Sequence, residues 1–361
     1  MRLRFAPSPP VRRVFFLVPG TTDRYRCGGL AVALHSARLV GTFMPAELVT
    51  YRQREQDHLF LDDVLAKESA PGSSLFVVSW GFDVPKLLRR LRGCSLAYHA
   101  HSSGYGFDLP PGVPVLAVSR NTLGYWGDRA PRNPLFLVPN ALEQQWLDRG
   151  ERRGSASELI NSEPRPIDVL VQKRKSSEYV LEKLVPALRA NGLRVEVQSG
   201  WVDDLLNVFN SSTVYLYDSA EYWRCVGVSE GFGLPPLEAM ACGCVVFSSM
   251  NHALADSLTP TECGHQIGCG SLQWDVERIK AAVIKPADWL PDSEVLEALL
   301  TQASTEKLQK RWRHVLNQLQ KLAAIGAISP ASNLLTSKPL WYMRMQRFIK
   351  HSRKICFFIR G

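Results

Sequence analysis

Two glutamates separated by seven residues, Glu230 and Glu238, bracket Gly231-Phe232-Gly233-Leu234 and the pair Pro235-Pro236. An ionised glutamate is a pure acceptor whose two oxygens are spaced to take both hydroxyls of a vicinal diol. Proline is accepted in a first helical turn, where its missing N–H would have had no intrahelical partner. The pattern therefore predicts a helix opening near Pro236, with Glu238 in its first turn, and running through Ala241. Gly243 stops that helix, and residues 244–247 read as a buried strand. A glycine-flanked loop feeding a helix N-terminus presents free backbone N–H groups and the positive end of the macrodipole, which is a seat for phosphate. A ligand with a sugar, a diphosphate and a ribose in a row would satisfy all three features. The plainer alternative is an ordinary helix start with a dipole-favoured glutamate. A dinucleotide fingerprint does not fit, because its third glycine would be Pro236.

Three further groups could serve the same ligand. Lys173, Arg174 and Lys175 stand together between a strand at 167–171 and a helix reaching Leu188. Cations at a strand-to-helix turn attract a diphosphate by charge and by donated hydrogen bonds, although such a run can also be simply solvated. His99 and His101 close a strand at 95–100, on one face by alternation. Gly28 and Gly29 open the first helix, where a glycine pair lets backbone approach a ligand or merely makes a turn. No Asp-x-Asp sequence occurs, so the usual carboxylate pair for a diphosphate-bound metal is missing and no metal is expected.

The elements that would position these residues alternate between strand and helix. Strands are read at 14–18, 47–51, 74–80, 95–100, 115–119 and 135–138, with helices at 30–40, 58–66 and 84–91 between them. After 142 periodicity fades into Arg, Gly, Ser and Glu, which reads as a linker over 143–166. Strands resume at 167–171, 194–198, 213–217 and 244–247, with helices at 202–209 and 272–283 and one long helix over 293–322. Alternation of this kind predicts an α/β protein with parallel, doubly wound sheets, which bind ligands beyond the carboxyl ends of their strands. The expected division is 1–142, linker 143–166, 167–300, and a carboxyl-terminal helix and tail over 301–361.

The 361 residues suffice for two domains, each with its own core. The formal charge of +9 is unevenly placed, because twelve Lys and Arg follow Glu306 with no Asp or Glu among them. Ahead of that point 31 basic residues face 34 acidic ones, so the main body offers no basic face for nucleic acid. Eight cysteines without framework spacing suit a reduced, cytosolic compartment. The apolar run 14–18 is too short for a signal peptide, and none reaches transmembrane length.

The run from Glu230 to Glu238 resembles the signature of the retaining, nucleotide-sugar-dependent glycosyltransferases of family 4. That resemblance implies the GT-B fold, two Rossmann-like doubly wound domains facing across a cleft, the first on the acceptor side and the second on the donor side. It implies a catalytic set of Glu230, His101 and Lys175. Glu230 would hold donor-sugar hydroxyls, the N–H groups of Gly231, Phe232, Gly233 and Leu234 would face sugar and diphosphate, and Glu238 would take the ribose diol. His101, nearer the strand end than His99, would contact the sugar, and Gly28 and Gly29 would correspond to the family's glycine-rich loop. Ser119 and Pro139-Asn140 match a serine and a Pro-Asn pair at the family's domain edge, although for Asn140 the preferred reading is a turn residue bonding its own backbone. The nucleotide base would sit around 199–202, at Trp201. Lys175 matches the phosphate-binding lysine, but Gln172 stands where the family has arginine, leaving Arg174 or Lys173 to substitute. The link 218–227 is longer than usual and reads as a specificity loop.

The implied chemistry is transfer of a sugar from a nucleoside diphosphate sugar to a glycan, lipid-linked or small-molecule acceptor, in polysaccharide or cell-envelope glycan synthesis. No cofactor is implied, and no protein nucleophile is assigned. Attack would come from the leaving-group face, with a phosphate oxygen as base. The competing class is a non-catalytic sugar-nucleotide-binding or scaffold protein with a degenerate site, favoured by the missing arginine. In the tail, Trp341, Met345, Phe348, Ile355 and Ile359 fall near one helical face among cations. Residues 338–361 thus suit either peripheral contact with an anionic membrane, at the inner face of the plasma membrane, or packing on the amino-terminal domain.

Overall fold

The structure, a computed structural model, describes residues 9–67, 73–152, 164–268 and 271–328. The described residues form two compact units: those up to 116, 123–136 and 315–328 in the first, and those of 117–122 and 137–314 in the second. The tail at 338–361 lies outside the described residues.

The amino-terminal sheet has seven strands: β1 (Arg13–Val18), β2 (Ala46–Thr50), β3 (Leu59–Phe60), β4 (Ser74–Val78), β5 (Ser95–Ala100), β6 (Val115–Ala117) and β7 (Leu135–Leu137). Their order is β3-β2-β1-β4-β5-β6-β7, and β1 runs parallel to both β2 and β4. Helices α1 (Gly28–Gly41), α2 (Leu61–Lys67), α3 (Val84–Arg90) and α4 (Arg120–Arg129) connect the strands. After Arg13, every residue of β1 is buried. A strand covered on both faces needs an unbroken apolar run rather than alternation, which Val14 to Val18 supply.

The second sheet comprises β8 (Ile167–Gln172), β9 (Val195–Gln198), β10 (Ser212–Tyr217), β11 (Val245–Ser248) and β12 (His265–Gln266), in the order β12-β11-β10-β8-β9. All four pairings are parallel. Chain direction across this sheet reverses at β8, which has β9 on one side and β10 on the other. The crevice outside the carboxyl ends of β8 and β10 is thus the topological switch point where such sheets bind ligands. Its helices are α5 (Gln144–Arg149), α6 (Val185–Ala190), α7 (Leu205–Asn210), α8 (Ala220–Val226), α9 (Leu234–Ala241), α10 (Leu272–Ile284) and α11 (Ser293–Gln302), while α12 (Thr305–Ala324) counts with this unit up to His314 and with the first from Val315. A π-helical turn at Tyr179–Leu184 runs into α6, whose Pro186 has no N–H to continue an α-helical ladder.

Several expectations are corrected. The stretch 143–166 is not a free linker at its described ends: α5 places Trp146 in the core of the second unit against Phe209 and Leu237. Arg165 is buried, donating to the carbonyls of Ser212 and Cys242 at 2.6 and 2.8 Å and of Glu151 at 2.8 Å. The long helix over 293–322 is two helices, because Ser304 turns its hydroxyl to the Lys307 N–H and the Ala303 carbonyl accepts from Leu142 N–H. The link 218–227 is largely helix α8 rather than loop.

Candidate active site

The phosphate-seat loop is built as the sequence suggests, with one shift. Helix α9 starts at Leu234, so Pro235 and Pro236 occupy its second and third positions, where no intrahelical donor is needed. Glu238 is therefore one full turn inside the helix, not in its first turn. Gly233 caps the helix at φ +88°, and a Cβ there would lie 2.3 Å from Leu254 Cδ2, so both conformation and space demand glycine. No side chain caps this N-terminus.

Lys175 and Glu230 meet at the switch point. Lys175 closes a single 3-10 turn, Lys173–Lys175, that follows β8, and Glu230 precedes the glycine loop. The Lys175 Nζ lies 3.6 Å from Glu230 Oε1 and donates to the Tyr217 hydroxyl at 3.0 Å. Tyr217, the last residue of β10, in turn donates to Glu230 Oε2 at 2.5 Å, and Trp223 of α8 donates its indole N–H to that same oxygen at 2.7 Å. The ammonium of Lys175 sits 5.0 Å from the Trp223 ring centroid and 5.7 Å from that of Tyr217. Glu230 itself is only 4% exposed. Burial first, and then the Glu230 carboxylate, hold the Tyr217 phenol well above its ordinary range, so Tyr217 acts as a donor at neutral pH. Tyr215, two residues earlier on the same strand face, stacks on Tyr217 and donates to Gln172 Oε1 at 2.7 Å.

Glu238 belongs to the same charge cluster. Burial pushes its carboxyl up to about 7, Lys175 draws it back down, and Glu143 adds to the rise. The residue as a whole is half-buried. Beyond β11, His252 adopts φ +52°, and its Nδ1 faces the Glu230 backbone N–H at 3.4 Å and Asn251 Nδ2 at 3.1 Å. Both neighbours are N–H donors, so Nδ1 must be the bare nitrogen, with the ring proton on Nε2.

The remaining candidates are placed as follows. Lys173 and Arg174 are exposed in the turn before Lys175. Trp201 is 66% exposed in the loop after β9, its indole N–H donating to Asp203 at 3.1 Å. Ser119 bonds Thr122 at 2.9 Å and Asn140 is buried. In the first unit, His99 and His101 share one face at the end of β5, ring centroids 4.3 Å apart. Burial lowers His101 to about 4, and burial, followed by His101, holds His99 well below its ordinary value. Both imidazoles are neutral at pH 7. Gly28 and Gly29 open α1, and a Cβ on Gly28 would meet nothing within 4 Å, so the chain itself does not require glycine there.

Tyr217, Tyr215, Trp223 and His252 escaped the sequence reading. The tyrosines carried a usable signal, since strand alternation puts both on the face that Glu230 reaches, whereas Trp223, seven residues before Glu230, depends on the link forming helix α8, and His252 on the turn after β11.

Residues 176–288 match the family model described as glycosyl transferases group 1. No curated protein matches. Among solved structures, sucrose-phosphate synthase from Thermosynechococcus elongatus is similar at TM-score 0.61 and 14% identity, over 85% of this chain and 99% of that one. A glycosyltransferase from Rickettsia africae is similar at TM-score 0.59 and 9% identity, over 86% and 99%. Anabaena HepE, solved with UDP and glucose, is similar at TM-score 0.58 and 13% identity, over 85% and 100%. The fold is GT-B, and with the group 1 match the chain is a glycosyltransferase.

Proposed function

We propose that this chain is a retaining glycosyltransferase of family 4 that uses a nucleoside diphosphate sugar. The observation that carries the reading is the convergence of Lys175 and Glu230 at the switch point of the second sheet, beside the side-chain-free N-terminus of α9 with Glu238 one turn in. Lys175 and the loop N–H groups of Gly231, Phe232, Gly233 and Leu234 take the diphosphate, Glu230 takes sugar hydroxyls, and Glu238 takes the ribose diol. Trp201 lies beside the base. His101, neutral at pH 7, offers a nitrogen to the sugar rather than a charge.

Charge developing on the leaving diphosphate is met by Lys175, with Arg174 and Lys173 at hand in the same turn, and no metal is required. UDP-sugars are the first donors to try, because the similar HepE structure holds UDP and glucose. The acceptor is a glycan, a lipid-linked glycan or a small molecule, in polysaccharide or cell-envelope glycan synthesis. Free thiols at Cys27, Cys94, Cys225, Cys242, Cys244 and Cys263 support a reducing, cytoplasmic setting. Among the described residues no helix is long and apolar enough to cross a membrane. The basic tail at 338–361 provides peripheral membrane contact, which truncation at 337 tests through loss of binding to anionic vesicles.

One observation favours a second reading, a non-catalytic sugar-nucleotide binder: Gln172, at the family's arginine position, is engaged by Tyr215. Calorimetry with UDP, GDP, ADP and dTDP, followed by NMR of the product anomer from the matching sugar nucleotide, decides between them. Binding with an α-linked product from an α-linked donor is expected, and binding with neither transfer nor hydrolysis establishes the second reading.

A further inference from the structure

Glu230 is held unevenly, and the unevenness assigns its two oxygens different tasks. Each oxygen of a carboxylate has room for about two hydrogen bonds. Oε2 accepts both Tyr217 Oη at 2.5 Å and Trp223 Nε1 at 2.7 Å, so its capacity is filled by the protein. Oε1 faces the Lys175 ammonium at 3.6 Å, beyond hydrogen-bond reach, and is not consumed. One indole does two jobs here, because the edge of Trp223 binds Glu230 while its face carries Lys175 at 5.0 Å.

From this geometry we infer that Trp223 is a positioning residue, which fixes Glu230 with Oε1 as the acceptor for the donor sugar and parks Lys175 until a diphosphate arrives. The inference rests on the reading of this site as a nucleoside diphosphate sugar site. An ammonium that donates one hydrogen bond to the neutral Tyr217 hydroxyl at 3.0 Å and otherwise faces a ring and a single carboxylate oxygen at 3.6 Å is weakly held compared with one in contact with a multiply charged diphosphate. Donor binding therefore draws Lys175 from the indole and uncovers Oε1, while Tyr217 and Trp223 keep the carboxylate from rotating after the departing cation. Without the indole N–H the carboxylate turns, and the sugar hydroxyl loses a preorganised acceptor although the diphosphate still finds Lys175. No bond is made or broken in this exchange. Trp223 belongs to α8, the segment that makes the link between β10 and Glu230 long, so the extra length has a use: it delivers an indole to Glu230.

The test separates diphosphate binding from sugar turnover. Trp223→Phe keeps an aromatic face for Lys175 and removes only the N–H. UDP, GDP, ADP and dTDP are titrated by calorimetry, and hydrolysis of the sugar nucleotide matching the tightest binder is followed. Trp223→Phe is expected to bind that diphosphate within about twofold of wild type, with kcat about tenfold lower, as for loss of one hydrogen bond to a charged acceptor. The part of the indole fluorescence change that the diphosphate causes by drawing the ammonium from Trp223 should be lost in this variant, leaving only the part contributed by Trp201 beside the base. Tyr217→Phe, which removes the second donor to Oε2, provides the same readout should Trp223→Phe fold poorly. Wild-type kcat in both variants overturns the inference, and so does a loss of kcat matched by equal losses of diphosphate affinity and melting temperature. A wild-type protein that binds a diphosphate but turns over no sugar nucleotide also overturns it. A wild-type protein that binds none of the four diphosphates overturns the site reading itself.

Discussion

Tyr215 donates its hydroxyl to Gln172 Oε1 at 2.7 Å, so the neutral amide at the end of β8, where the family resemblance places an arginine, is engaged by a tyrosine. Tyr215 is fully buried on the central strand of the sheet, and its hydroxyl donates to the Gln172 amide oxygen, whereas a guanidinium could only donate to it. Gln172→Ala strands that hydroxyl. Loss of about 1–3 kcal/mol is expected in urea denaturation, whereas Gln172→Glu, which keeps the acceptor, should recover most of it. Equal stability of the Ala variant would show that the hydroxyl finds another partner.

With no arginine at 172, Lys175 is the half-buried cation at the switch point, and Lys173 and Arg174 are out in solvent. Lys175→Ala should lower kcat by roughly 10²–10³, comparable to removal of one preorganised stabiliser of transition-state charge. Chelator should leave the wild-type rate unchanged. Rate lost to chelator and restored by manganese or magnesium would mean that a metal, not Lys175, meets the leaving diphosphate.

The parts of this site legible in sequence are those written contiguously. Glu230, the glycine loop and Glu238 lie within nine residues, and the Lys173–Lys175 turn follows a strand whose apolar run is unambiguous. What was not legible depends on contacts distant in the chain. Trp146 gives no periodic signal in a polar stretch, yet packing against Phe209 makes α5 part of a core. The break between α11 and α12 depends on Leu142, more than 150 residues away, taking the Ala303 carbonyl. Strand β3 has two residues, too few for any period to show. The start of α9 was misplaced because prolines are acceptable throughout a first turn, so they mark the turn and not its first residue.

Gly233 ties the loop to the core. Its φ of +88° suits only glycine comfortably, and Leu254, whose Cδ2 a new Cβ would meet at 2.3 Å, is fully buried and has little room to move. Gly233→Ala is expected to cost about 2–4 kcal/mol, from backbone strain plus overpacking, and to weaken diphosphate binding by shifting the α9 N-terminus. A urea midpoint within error of wild type would show that the loop relaxes freely.

Glu238 and the His99–His101 pair titrate over overlapping pH ranges with opposite effects, so pH distinguishes the two units. The Glu238 carboxyl rises from an ordinary 4.5 to about 7 on folding, so the native state binds the extra proton between those values. Its contribution is fully present below about pH 4.5 and is lost as pH climbs through 7. His101 falls from 6.5 to about 4, so the unfolded chain binds the extra proton, and stability is lost as pH drops from 6.5 toward 4. The second unit should therefore weaken toward alkali and the first toward acid. Glu238→Gln, which mimics the protonated carboxyl, should gain stability relative to wild type by about 2 kcal/mol between pH 5 and pH 8, less than the full shift because the side chain is partly exposed. The same titration governs the diol. A carboxylate accepts from two hydroxyls better than its acid does, so donor affinity of the wild type should rise through pH 7, while that of Glu238→Gln stays low and flat. Urea unfolding and donor calorimetry at pH 5, 6, 7 and 8 check both, and a Glu238→Gln stability difference that does not change with pH would place the carboxyl in water, removing the basis for both effects.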